Sequence, residues 1–244
     1  IGGKLWKMSI MFRTNYEFYE SRNKRPNSLF NRNTLENMCS IVGSFDKHKL
    51  RELISLNLYR GNHSYSLSEY NPIDGGLDVI IREFGKFDFS LIDGLNDGNY
   101  FIAHTQAPTT DSKNKDCIHP SHYQESYLWH NGIIKEDYIK IMQEKLSSKN
   151  DWDTALLNEW VRNENDLSDI DGTFSCLGYF NRDLFLFRNE ISPMFIDKDF
   201  NISSTKFENS KPTLPNKILG INFITMELLP IKTFITKLNP YYFI

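Results

Sequence analysis

The chain has 244 residues, 24% of them charged and 40% apolar, with a formal net charge of −3. That length supplies a core for one domain of ordinary to large size, and the charge balance gives no electrostatic case for a nucleic-acid partner. No apolar run is long enough to span a bilayer, and residues 1–38 lack the sustained apolar centre of a signal peptide. Cys39, Cys117 and Cys176 are too few and too scattered for a disulfide framework or a zinc site, so a reducing, cytoplasmic setting is expected.

Residues 1–38 differ from the rest. Ser21–Asn33 is basic and Asn-rich without a helical or strand period, and reads as disordered or as a linker. From Cys39 the pattern is that of a packed domain. Cys39–Phe45 reads as a strand, and Lys47–Leu58 as a helix capped by Asp46, with Leu50, Leu53, Ile54 and Leu58 on one face. Strands are expected at Asp78–Phe84, Tyr100–Thr105 and Gln124–His130, the last ending in an Asn131-Gly132 turn. Glu136–Leu146 reads as a helix burying Tyr138, Ile141, Met142 and Leu146. Thr154–Val161 reads as another, capped by Asp151 or Asp153. Four strands are expected next: Thr173–Phe180, Leu184–Arg188, Met194–Asp197 and Ile202–Ser204. The tail after Lys206 has strand-like pieces at Ile218–Ile224. Strands interrupted by a few helices define an α+β class, a sandwich of sheets with covering helices.

Chemistry concentrates at a few points. Met38-Cys39 heads the first strand, so a chain beginning at Cys39 would carry a thiol and a free α-amine on one residue. With 38 residues attached, the nitrogen is an amide and cannot act as a base. Asn131-Gly132 is a turn on its simplest reading and an oxyanion hole on the alternative. His104 and Gln106, in Ala103-His104-Thr105-Gln106, end a strand; the simplest reading there is a buried histidine satisfied by backbone, followed by a loop at Pro108-Thr109. Arg60-Gly61 reads as a helix C-cap, and Asp151 as a helix N-cap.

Their order changes the weighing. Cys-x-Ile-x-Gly, Arg60-Gly61, Ala103-His104-Thr105, His130-Asn131-Gly132-Ile133-Ile134, an Asp leading into a helix, Asp171-Gly172-Thr173-Phe174, Leu186-Phe187-Arg188, Ser192-Pro193 and Ile202-Ser203-Ser204 form one series. From Cys39 to about Phe207 this resembles the glutaminase domain of class II glutamine amidotransferases, members of the N-terminal-nucleophile (Ntn) hydrolases. The resemblance implies a four-layer αββα sandwich of antiparallel sheets over residues 39–244. It implies Cys39 as nucleophile, its freed α-amine as base, and Asn131 and Gly132 as oxyanion donors. Asp151 would hold the substrate α-ammonium and Arg60 would support the surroundings of Cys39, with His104 and Gln106 at the substrate-binding strand end. Arg188 and Ser192-Pro193 would frame a structural hairpin.

The pattern departs from the family at two places. Gln106 stands where an arginine would clamp the substrate α-carboxylate, and Asn62-His63-Ser64 stands where an acidic residue often follows Arg-Gly. Fewer than forty residues follow Phe207, and there is no phosphate-binding loop or nucleotide fingerprint. The expected partner of a glutaminase is then a separate ammonia-accepting synthetase, with glutamine as substrate and no cofactor or metal. Two rivals remain: an Ntn amidohydrolase acting on another γ-glutamyl or amide compound, and an inactive glutaminase-like binding module. Residues 1–38 have three readings: an over-extended start before Met38, a propeptide, or a retained segment.

Overall fold

The computed structural model describes residues 39–107 and 114–236. The extension over residues 1–38 and the loop at Pro108-Thr109 lie outside the described residues. In chain order come β1 (Ser40–Ser44), α1 (Lys47–Asn57), β2 (Ser64–Tyr70), β3 (Leu77–Phe84), β4 (Tyr100–Gln106), β5 (Ser121–Tyr123) and β6 (Ser126–Ile134). Next are α2 (Glu136–Leu146), α3 (Asp153–Arg162), β7 (Gly172–Phe180), β8 (Asp183–Arg188) and β9 (Phe195–Ile196). The chain ends in β10 (Ile202–Ser203), β11 (Lys211–Pro212), β12 (Lys217–Asn222) and β13 (Glu227–Thr233).

Among the described residues the strands form two antiparallel sheets. The first runs β11-β9-β10-β1-β4-β2-β3 and the second β13-β12-β8-β7-β6-β5. Between them, Ile41, Tyr100, Ile102, Trp129, Leu177, Leu186, Ile202 and Leu219 build an inner core. The period of two then sends Val42, Phe101 and Ala103 to the outer face of the first sheet, where Leu50, Leu53 and Ile54 of α1 cover them. Leu128, Phe174, Cys176 and Phe187 lie on the outer face of the second sheet, beneath Met142 of α2 and Leu156, Leu157 and Trp160 of α3. Helix, sheet, sheet, helix is the four-layer αββα arrangement. Full burial of each such side chain stabilises by roughly 1.5–3 kcal/mol.

The helices form where apolar spacing and capping agree. Asp46 caps α1, its Oδ1 accepting from the N–H groups of His48 (2.6 Å) and Lys49 (3.1 Å). Helix α2 buries Met142 and packs Tyr138, Ile139 and Leu146 against the outer core, while Ile141 is 50% exposed. The buried stripe is therefore one residue out of phase with the expectation at that position. Trp152 occupies the N-cap of α3 without a side-chain bond, so neither Asp151 nor Asp153 caps it. Asn131-Gly132 is not a turn: β6 continues through both residues, which pair with Ser175 and Phe174 of β7. Strands β2, β5, β11 and β13 add to the expected set, and the tail beyond Lys206 is part of the fold. Buried Arg188 donates from Nε and Nη2 to the Thr213 carbonyl at 2.9 and 2.7 Å, pinning the tail to the end of β8.

Candidate active site

Cys39 leads into β1, a central strand bonded on one side to β4 and on the other to β10. It is 7% exposed, and its thiol faces the Ala107 carbonyl at 3.9 Å. Burial pushes the thiol pKa up to about 12; the Ala107 contact and Arg60 oppose the rise, and Asp153 adds to it. A thiol so placed is neutral at ordinary pH and needs a base to become a nucleophile.

Arg60 leaves the end of α1 and is buried. Its Nε donates to the Cys39 carbonyl at 3.0 Å and its Nη2 to Asn131 Oδ1 at 3.5 Å. One guanidinium thus ties the head of the first sheet to β6 of the second. Asn131 Nδ2 donates to Ser204 Oγ at 3.3 Å, and the same Oγ accepts from the N–H of Ile41 at 3.0 Å. With Oδ1 turned to Arg60, the amide orientation is fixed. An amide nitrogen has two N–H groups, and the second carries no bond among the described residues.

Gly132 follows on β6. Its partner across the sheet, Phe174, turns its own peptide toward Asn189: Phe174 C=O accepts from Asn189 N–H at 3.0 Å, and Phe174 N–H donates to Asn189 Oδ1 at 3.4 Å. Gly132–Phe174 is therefore a non-hydrogen-bonded pair, and the Gly132 N–H points away from β7. On that side β5 has already ended, since it pairs only with Ser126–Leu128. A Cβ on Gly132 would collide with the Thr173 carbonyl, and His130 Nε2 would lie 2.7 Å away, so only glycine fits.

The remaining sequence candidates fare differently. His104 is buried and donates through Nε2 to the His130 carbonyl at 3.2 Å. Burial lowers its pKa to about 3, with the His130 carbonyl opposing and the His130 ring adding to the fall. Gln106 is committed: Oε1 accepts from Ser64 Oγ (3.2 Å) and faces His119 Nδ1 (3.1 Å), while Nε2 donates to the Cys117 carbonyl (3.0 Å). Asp151 is exposed, with no side-chain hydrogen bond or ion pair among the described residues. The carboxylate turned toward the site is Asp153, two residues on, which accepts from the Ile134 N–H at 3.3 Å and lies close enough to act on the Cys39 thiol.

Ser204, His119, Thr154 and Asp153 are site neighbours that sequence reasoning does not place there, although Asp153 reads as a candidate helix cap and Ser204 lies in the motif series. For Asp153 the available signal was helix phase: the first residue of α3 faces the sheet, and a residue two earlier does not. His119 had no signal, since a lone histidine before a proline in an aperiodic run predicts nothing. No cluster of His, Cys, Asp or Glu able to hold a metal occurs among the described residues, and no helix among them is long and apolar enough to cross a membrane.

No protein-family model and no curated protein sequence matches the chain. Solved structures do. A glutamine phosphoribosylpyrophosphate amidotransferase from B. subtilis, complexed with ADP and GMP, superposes with a TM-score of 0.58 at 15% identity over 83% of this chain. A structure described as the allosteric regulatory enzyme of purine biosynthesis superposes with a TM-score of 0.57 at 16% identity, again over 83%. The chain spans about half the length of both, 50% in each case. At such identity the likeness is one of fold: two antiparallel sheets between helical layers, the arrangement that these amidotransferase structures share with this chain.

Proposed function

We propose that the chain is a glutaminase domain of the class II amidotransferase type, residues 39–244, which hydrolyses the glutamine side-chain amide through a thioester on Cys39. The observation that carries this reading is the Arg60 guanidinium, which joins the Cys39 carbonyl to Asn131 Oδ1 and so holds a candidate nucleophile beside a candidate oxyanion donor from the other sheet. In the proposed reaction residues 1–38 are absent, and Cys39 carries a free α-amine whose ordinary pKa of about 7.7–8.0 suits a base near neutral pH.

The amine takes the thiol proton as Sγ attacks the amide carbon. The oxygen that gains charge is received by the second N–H of Asn131 and the outward N–H of Gly132, each such donor contributing about 10²–10³ in rate. The α-ammonium returns the proton to the leaving nitrogen, ammonia departs, and a γ-glutamyl thioester remains. Water, deprotonated by the same amine, then releases glutamate. Asp153 replaces Asp151 as the group we assign to the substrate α-ammonium. Ammonia would pass to a separate acceptor protein. A second reading, hydrolysis of another γ-glutamyl or amide compound, draws on Gln106: its Oε1 faces Ser64 and His119 and one of its two N–H groups goes to the Cys117 carbonyl, which leaves a single uncharged N–H, not a cation, for a substrate carboxylate.

The test is labelling with diazo-oxo-norleucine, a glutamine mimic that alkylates such cysteines, on protein whose intact mass gives Cys39 as first residue. Modification of Cys39 that glutamine blocks, together with loss of hydrolysis in Cys39→Ala, is the expected result. Labelling that glutamine does not slow supports the second reading. Absence of labelling refutes both.

A further inference from the structure

Three histidines meet where α3 begins, and the donors and acceptors around them do not balance if all three are neutral. His104 Nε2 lies 3.2 Å from the His130 carbonyl, which can only accept, so His104 carries its proton on Nε2. His119 Nδ1 lies 3.1 Å from Gln106 Oε1. The Gln106 amide cannot be reversed, because its nitrogen donates to the Cys117 carbonyl. His119 therefore carries its proton on Nδ1. His130 Nε2 lies 3.3 Å from the Thr173 carbonyl and must donate there.

The other nitrogens of His119 and His130 both point at one hydroxyl, with His119 Nε2 at 3.1 Å and His130 Nδ1 at 3.2 Å from Thr154 Oγ1. That hydroxyl owns a single proton, and Asp153 Oδ1 lies 3.2 Å from it as a third acceptor. If all three rings are neutral, at least one nitrogen faces the oxygen lone pair to lone pair, inside a buried site where an unmade bond is costly. One further proton removes the conflict between the two rings and leaves Asp153 Oδ1, on a carboxylate that still reaches solvent, without the hydroxyl proton. The added proton belongs on His119 or on His130, and the surroundings choose. His119 stacks on His104 with centroids 3.9 Å apart, and burial first, then His104, His130 and Arg82, holds its pKa well below the usual value. His130 Nδ1 instead lies 3.9 Å from Asp153 Oδ2.

We infer that His130 carries protons on both ring nitrogens and forms a buried ion pair with Asp153, fixing that carboxylate against β6. In the resulting arrangement Thr154 O–H donates to His119 Nε2 and accepts from His130 Nδ1–H. Every nitrogen of His119 and His130 is then bonded. The groups facing His130 are Asp153 and Thr154 from α3, His104 from β4, His119 from the segment before β5, and Thr173 and Cys176 from β7. Asp153 is the one carboxylate among them. That His130 thereby positions a substrate-binding group rests on the function proposed above; its protonation does not.

The test is two-bond nitrogen–hydrogen correlation NMR on uniformly ¹⁵N-labelled full-length chain at neutral pH, with the rings assigned from single His→Gln variants. The expected pattern is one bare nitrogen each for His104 (Nδ1) and His119 (Nε2) and none for His130. A bare nitrogen on His130 overturns the inference whether or not the protein hydrolyses glutamine. In Asp153→Asn the counter-charge is gone, and a bare nitrogen is expected to appear on His130. An imidazolium that persists in that variant overturns the ion pair as its cause. Loss of glutamine hydrolysis with the wild-type nitrogen pattern intact would instead count against the proposed function alone.

Discussion

Acid weakens this fold through His104. Burial holds its folded-state pKa at about 3, against an ordinary value of 6.5. The unfolded chain therefore takes up a proton below pH 6.5 and the folded chain does not until about pH 3. The stability this histidine contributes is complete above 6.5 and drains away as the pH falls through that window. At about 1.36 kcal/mol per pH unit, moving from pH 7 to pH 5 removes about 2 kcal/mol. The figure barely changes if the folded value is a full unit higher, because at pH 5 the folded imidazole is then still mostly neutral. His119, lowered for the same reason, adds to the loss. The assay is urea unfolding at pH 7 and pH 5, in wild type and in His104→Gln, whose amide can still donate to the His130 carbonyl. The variant is expected to lose about 2 kcal/mol less than wild type between the two pH values. Equal losses, within about 0.5 kcal/mol, would refute the assignment of a neutral buried His104.

Other outcomes follow from the same geometry. Gly132→Ala forces a methyl against the Thr173 carbonyl and is expected to destabilise by about 1–3 kcal/mol in denaturant melts; a change below about 0.5 kcal/mol would contradict the packing of β6 on β7. Arg60→Lys keeps a charge but cannot span the Cys39 carbonyl and Asn131 Oδ1 together, so glutamine hydrolysis is expected to fall about tenfold or more, measured as kcat/KM; an unchanged value would detach Arg60 from the site. Gln106→Arg places a cation among Ser64, His119 and the Cys117 carbonyl, near Arg82, and is expected to cost about 2 kcal/mol or more of stability rather than to improve glutamine binding; a lower KM in a fully stable variant would reverse that judgement. Ser68 Oγ is buried without a partner among the described residues, so Ser68→Ala is expected to leave the midpoint of thermal unfolding unchanged or raise it, and a clear drop would mean that the hydroxyl is satisfied by water.

Much of the architecture was legible because apolar spacing in this chain is strong where elements are long. The helix from Lys47 and the helix Glu136–Leu146 declare themselves by period and flanking residues, and β4 and β7 by apolar runs. Strand β2 hid because its inward face is Ser64, Ser66 and Ser68, residues that read as loop chemistry until a second sheet covers them. Asn131-Gly132 misleads as a turn because local preference for turns is weak beside an eight-pair ladder to β7. The candidate site was legible in kind at Cys39, Arg60, Asn131 and Gly132, which lie in recognisable short patterns. It was not legible at Asp153, where two aspartates compete and only the rotation of the helix decides. Nor was it legible at Ser204, whose contact with Ile41 spans 163 residues and leaves no local trace.

That span bears on how the molecule comes to exist. The first strand cannot take its place until residues 101–105 and then 202–203 are available on either side of it. Pairings this distant along the chain carry a large loop-closure cost and make for slow folding. A nascent polypeptide therefore holds β1 without a complete berth until residue 203 has emerged. The thiol at position 39, the amide at 131 and the hydroxyl at 204 come together only as the sandwich closes, so partly made or misfolded copies lack the assembled candidate site.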